Sequence, residues 1–145
     1  MREIKIAKKE HISALAKLER ATFSDPWSEK ALALFLEEQN FCVACFEDGE
    51  LASYCTVTTV LDEAQIVNVA TDSHFKRMGC AREVLDGVIF ECQKRKITLI
   101  SLEVREGNAP AIALYTKLGF TVAGKRKDFY KNPRENALVM IKNLD

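Results

Sequence analysis

The chain reads as a mixed α/β fold, one sheet of about seven strands flanked by about four helices, forming a single domain over residues 1–145. Three observations predict it. Short apolar segments suited to strands alternate with segments whose apolar residues recur at helical spacing. No Gly/Ser/Pro-rich linker or internal repeat interrupts them. And 145 residues, 48% of them hydrophobic, can bury about 68–70% of the surface exposed by the unfolded chain, whereas two full domains would be cramped.

Each element follows from its residues. Ile4 and Ile6 alternate with polar neighbours as a first strand. Ile12, Leu15, Ala16 and Glu19 begin a helix that ends near Phe23 and is broken by Asp25-Pro26-Trp27-Ser28. The Ser28 hydroxyl can accept from unpaired first-turn N–H groups, so it caps a second helix over 31–38. Strands follow at 41–46 and 51–60, and the Asp48-Gly49 between them readily takes the positive φ of a tight antiparallel hairpin. Residues 63–71 form a further strand. From 79 to 94, Ala81, Val84, Leu85, Val88, Ile89 and Cys92 recur at i, i+3, i+4, i+7, i+8 and i+11, the clearest helix in the chain. Residues 97–104 return as a strand. Asn108 caps a short helix that tolerates Pro110 in its first turn and is stopped by Gly119. Strands at 120–126 and 137–141, joined by a long basic loop, finish the sheet.

Charge excludes some functions. With 21 Lys+Arg against 21 Asp+Glu the net charge is zero, which argues against a nucleic-acid binder. The halves differ: residues 1–72 carry 7 basic and 13 acidic side chains, net −6, and residues 73–145 carry 14 and 8, net +6. The N-terminus lacks the apolar stretch of a secretory signal, and the longest apolar run, 31–36, falls far short of the roughly 20 residues of a membrane span. Five cysteines, Cys42, Cys45, Cys55, Cys80 and Cys92, read as reduced thiols of a cytoplasmic protein. Cys42 and Cys45 fit CxxC, but residues three apart in a strand point to opposite faces, so the pair neither chelates nor forms an easy disulfide. His11 and His74 are the only histidines, and no metal site is expected.

Chemistry is expected where the strand 63–71 runs into the strong helix. Small residues at 79–81 let an anion approach the unpaired N–H groups of the helix start, and Lys76, Arg77 and Arg82 add positive charge. Taken alone, the segment is equally an ordinary strand-to-helix turn with solvated basic residues. Neither GxxxxGK[ST] nor GxGxxG is present, so the usual ATP and dinucleotide loops are not supported.

Lys76-Arg77-Met78-Gly79-Cys80-Ala81 matches the pattern Q/R-x-x-G-x-G/A, with Lys76 replacing the usual first residue. The match continues through Leu102-Glu103-Val104-Arg105, Asn108, Ala111-Ile112-Ala113-Leu114-Tyr115 and Leu118-Gly119-Phe120. Pro26-Trp27-Ser28-Glu29-Lys30, Leu61-Asp62-Glu63-Ala64 with Asn68 and Ala70, and the closing Ala137-Leu138-Val139-Met140 extend it over nearly the whole chain. In these features the chain resembles the GNAT superfamily of acetyl-coenzyme A-dependent N-acetyltransferases. Within the superfamily it is most similar to bacterial enzymes that acetylate the N-terminal alanine of a ribosomal protein. Ser73 stands where a Pro is frequent, and Phe129-Tyr130 where relatives often show two tyrosines.

The resemblance implies direct acetyl transfer from acetyl-CoA to a free amine, with a base and an acid on opposite sides of the thioester carbon. It assigns Glu103 as base, Tyr115 as acid, Val69, Ala70 and Thr71 as backbone partners of the pantetheine arm, and Arg77, Met78, Gly79, Cys80, Ala81 and Arg82 as the pyrophosphate loop. Asn108 contacts the cofactor and also caps its helix. Trp27, Phe129 and Tyr130 are expected at the acceptor, although Trp27 equally reads as a staple packing the helix start. On their own residues, Glu103 reads as a solvated strand side chain and Tyr115 as core with a wet tip. The expected partner is a protein N-terminus, on a small-subunit ribosomal protein, with no direct nucleic-acid or membrane contact. A small-molecule amine acetyltransferase and a non-catalytic acyl-CoA sensor are the competing readings. The +6 half is expected to form the cofactor face and the −6 half the acceptor face.

Overall fold

The computed structural model describes residues 1–144. The strands are β1 (Arg2–Ile6), β2 (Phe41–Glu47), β3 (Glu50–Val60), β4 (Glu63–Thr71), β5 (Leu99–Arg105), β6 (Thr121–Tyr130) and β7 (Glu135–Asn143); the helices are α1 (Ile12–Thr22), α2 (Glu29–Glu37), α3 (Cys80–Lys94) and α4 (Ala109–Lys117). The strands form one sheet in the order β1-β2-β3-β4-β5-β7-β6. Neighbours are antiparallel except β4 and β5, which are parallel. Residues of α1 and α2 pack with Cys42, Ala44 and Tyr54 on one face of the sheet, and residues of α3 and α4 pack with Val43, Cys45 and Cys55 on the other. No described helix is long and apolar enough to cross a membrane.

Local chemistry sets the element ends as the sequence leads one to expect. Asp48 and Gly49 both take positive φ, 48° and 85°, as a tight hairpin turn requires. The Ala31 N–H donates to Ser28 Oγ at 3.1 Å and the Ala111 N–H to Asn108 Oδ1 at 3.2 Å. Gly119, at φ 97°, ends the fourth helix. The last hairpin differs from expectation. β6 continues past residue 126 to Tyr130, leaving only 131–134 as the connection. β6 is exposed almost throughout, so it carries no apolar alternation to read, and its extent is fixed by pairing with β7, which ends at Tyr130 opposite Glu135.

The sheet opens at its centre. β4 and β5 pair only from Glu63 to Gln65, against Leu99 to Ser101. β4 then stays with β3 but is bulged: Ile66 faces Val57 and Asn68 faces Thr56, leaving Val67 without an opposite residue. A bulge bends its strand and increases local twist, and β5 meanwhile remains paired to β7 along its whole length. The two strands therefore part, and the edge of β4 beyond Gln65 that faces β5 has no strand partner among the described residues.

Cys42 and Cys45 lie in the two opposite core clusters, as the strand geometry requires. All five cysteines are free and buried. Burial pushes the Cys42 thiol up to about 12 and Cys92 up to about 11, so both are unreactive thiols at neutral pH.

Glu19, on the apolar side of α1, is only 1% exposed. Its carboxylate accepts from the Trp27 N–H at 2.9 Å, from Asn68 Nδ2 at 3.2 Å and from the Tyr54 hydroxyl. These are three neutral donors from three segments of the chain, and through Glu19 they tie α1 and the turn before α2 to β3 and β4. A glutamine at 19 sets its amide NH2 against at least one of those donors in either flip. Glu19→Gln is therefore expected to lower stability by about 1–3 kcal/mol, as measured by urea unfolding. An unchanged midpoint would mean that the three donors find other partners.

Candidate active site

The strand-to-helix segment forms one wall of a cleft of about 620 Å³. Val69, Ala70 and Thr71 line it from the unpaired stretch of β4, Arg77, Gly79, Cys80, Ala81 and Arg82 from the loop and first turn of α3, and Asn108 from the cap of α4. Lys76 joins them, and among the described residues no carboxylate lines the cleft. Gly79 caps α3 at φ 79° in the left-handed region, following Arg77 at 64°. This conformation, rather than crowding, is what favours glycine there, because the nearest atom to an added Cβ is Arg2 Nη1 at 3.8 Å. Backbone N–H groups at the start of a 15-residue helix, three cations and an unpaired strand edge make a site suited to a phosphorylated, extended ligand. That is the fit acetyl-CoA demands. Among the described residues no cluster of potential metal ligands occurs.

Met78 is the one expected loop residue that does not line this cleft. Its carbonyl accepts from Arg2 Nη2 at 2.8 Å. The same guanidinium meets Glu47 at 2.6 Å through Nε and Glu83, in the first turn of α3, through Nη1. Arg2 thus supports the loop from below. Nothing in the sequence pattern identifies it, because its partners lie 45, 76 and 81 residues away.

Glu103 faces the other side of the sheet. Its neighbours Leu102 and Val104 belong to the core under α3 and α4, so alternation along β5 turns Glu103 to the opposite face. There it lines a smaller cleft of about 320 Å³ with Gln65, Val67, Phe129 and Tyr130. Glu103 Oε1 accepts from Gln65 Nε2 at 3.3 Å, and Oε2 pairs with Arg126 Nε at 2.6 Å. Phe129 and Tyr130 stand edge to face at 5.0 Å, and the Arg105 guanidinium lies 4.3 Å from the Tyr130 ring centre. Partial burial and the nearby Glu103 raise the Tyr130 phenol above its ordinary value. Gln65 and Arg126 were legible as strand residues only, with no signal of contact to Glu103.

Tyr115 is buried in the α3–α4 core and packs edge-on against Phe120 at 5.8 Å. Burial, followed by Cys55 and Tyr130, holds its phenol well above the ordinary range. Trp27 lines neither cleft. It meets Phe35 at 5.0 Å and donates its N–H to Glu19, the contacts of a staple.

The two charge halves are not two faces. The Glu103 cleft draws on both halves, Thr58, Gln65, Ile66 and Val67 from the −6 half and Glu103, Phe129 and Tyr130 from the +6 half, and Arg2 of the −6 half sits beneath the loop before α3. The sheet order explains the mixing, since it sets β5, β7 and β6 beside β4.

Comparison with known proteins agrees with this fold. The model of the Acetyltransferase (GNAT) family matches residues 12–120. The ribosomal protein bS18-alanine N-acetyltransferase of Escherichia coli is 38% identical over 125 residues, 85% of this chain and 84% of that protein. The crystal structure of the ribosomal-protein-alanine N-acetyltransferase of Escherichia coli aligns with a TM-score of 0.92 at 34% identity, covering 100% of this chain and 95% of that one. The Salmonella typhimurium protein yncA, solved with its cofactor acetyl-CoA, shares the fold at 17% identity and a TM-score of 0.87, over 99% of this chain and 94% of that one. On the strength of the family match and the 38% identity, the chain belongs to the GNAT family of acetyltransferases.

Proposed function

We propose that this chain transfers acetyl from acetyl-CoA to the α-amine of the N-terminal alanine of a small-subunit ribosomal protein, with Glu103 as general base and Tyr115 as general acid. One observation supports the mechanism: Glu103 lies on one face of the sheet, in a cleft with Gln65 and Val67 of β4, and Tyr115 lies in the core on the other face. Transfer needs a base on the side from which the amine arrives and an acid where the thiolate departs. The acceptor identity rests on relatives that bear that name.

In this reading the thioester supplies an activated acetyl group when acetyl-CoA is bound. Val69, Ala70 and Thr71 present backbone groups to the extended arm, and the residues from Arg77 to Arg82 hold the phosphates. Asn108 spends its side-chain oxygen on the Ala111 N–H, which leaves its amide NH2 for the ligand. Glu103 takes a proton from the incoming ammonium. The freed amine forms the new C–N bond as the C–S bond breaks, and Tyr115 gives its proton to the departing sulfur. Of the three ammonium protons one stays on the amide, one balances the thiol and one leaves to solvent. Phe129 and Tyr130 narrow the acceptor cleft, which favours a small first side chain. Trp27 acts indirectly, holding the turn before α2 through Glu19. A ribosomal-protein substrate sets the work in the cytoplasm.

A panel of peptides tests the acceptor. Peptides beginning with Ala or Ser should gain one α-acetyl group, detected by mass spectrometry, while polyamines and amino sugars should not; the reverse result would make this a small-molecule enzyme. Tyr115→Phe should reduce kcat by about 10²-fold or more and leave coenzyme affinity, read by calorimetry, within about twofold. Unchanged turnover removes Tyr115 from the mechanism. Because burial raises the Tyr115 phenol above its ordinary value near 10, it stays protonated below that pH. The kcat–pH profile should then show no alkaline limb below about pH 10 that Tyr115→Phe abolishes.

A further inference from the structure

We infer that Arg126 is the resting counter-cation of Glu103 and that the acceptor's α-ammonium displaces it. The inference rests on the assignment of Glu103 as base and adds how that base is kept until its substrate arrives. Arg126 Nε lies 2.6 Å from Glu103 Oε2, with the carboxylate side chain 17% exposed and the arginine side chain 61% exposed. Gln65 holds the other oxygen from β4, so removing Arg126 leaves the carboxylate oriented. An ammonium matches what the guanidinium supplies there, one positive charge and an N–H donor.

Two features make Arg126 displaceable. It sits on the edge strand β6 where regular pairing with β7 is lost, between Arg126 and Tyr130, with Asp128 at φ 51° in the irregular stretch. And its guanidinium carbon is already 5.7 Å from the Phe129 ring centre, a face on which a displaced guanidinium can rest. An ion pair with one exposed partner contributes little, at most about fivefold in an equilibrium, so a cationic N-terminus held by its own peptide contacts outcompetes it. A neutral N-terminus brings no charge and leaves Arg126 in place. The site thereby favours free, protonated N-termini over blocked ones before any chemistry begins.

The test is calorimetric binding of an Ala-initiated peptide to protein saturated with coenzyme A. Arg126→Gln is expected to tighten this peptide about two- to fivefold and to leave coenzyme affinity unchanged. A des-amino peptide, with propionyl replacing the alanine, should show no tightening, and Arg126→Lys should restore wild-type affinity. The gain should vanish in a Glu103→Gln background. Unchanged or weaker binding of the Ala peptide by Arg126→Gln overturns the inference. If that variant does not fold, the wild-type Arg126 Nε resonance in a nitrogen-15 spectrum decides: it should move when the Ala peptide is added and stay when the des-amino peptide is added, and no movement with either overturns it. Should wild type bind coenzyme A yet acetylate no α-amine peptide, the base assignment fails first; acetylation without the Arg126 effect leaves that assignment intact and removes only the counter-cation.

Discussion

The parting of β4 from β5 is the constraint on which the rest of the molecule turns. After three paired residues, a bulge at Val67 carries β4 away while β5 stays paired to β7 along its whole length. A sheet normally satisfies its backbone internally, and an unpaired stretch inside one is costly unless a ligand or water takes its polar groups. Here the opening is flanked by the first turn of α3 on one side and by Glu103 on the other face. The strand edge and the helix N-terminus line one cleft, and Glu103 lines another on the opposite face. They are held by elements whose positions the sheet already fixes.

Two glutamates show how environment separates roles. Glu19 is sealed among neutral donors and joins α1, the following turn, β3 and β4. Such a carboxylate is a fixed acceptor that organises backbone. Glu103 is held by one amide and one solvent-facing guanidinium. The first fixes the turn before α2 against β3 and β4, and the second is suited to meeting an acceptor.

What could be read in advance was whatever depends on near neighbours in sequence. Ser28 and Asn108 as caps, Asp48-Gly49 as a hairpin turn and the divergence of Cys42 from Cys45 are all decided within a few residues. The parts that escaped depend on distant ones. Arg2 reaches Met78 and Glu83, and Arg126 reaches Glu103 across β7; no local pattern marks either arginine. The end of β6 escaped because an exposed edge strand has no buried face to alternate. The division of charge into two halves failed for a related reason: chain order and sheet order are different permutations, and β7 inserts itself between β5 and β6.

Arg2 gives the loop an unusual dependency. The strand that carries it, β1, has a partner on one side only, and strands so placed are among the first parts of a domain to open in local unfolding. When β1 opens, the Met78 carbonyl and Glu83 lose their guanidinium together. By linkage, any ligand that prefers the loop in its held form must also make that opening rarer. The edge of the sheet and the N-terminal end of α3 are therefore one cooperative unit, although β1 contributes no residue to the cleft.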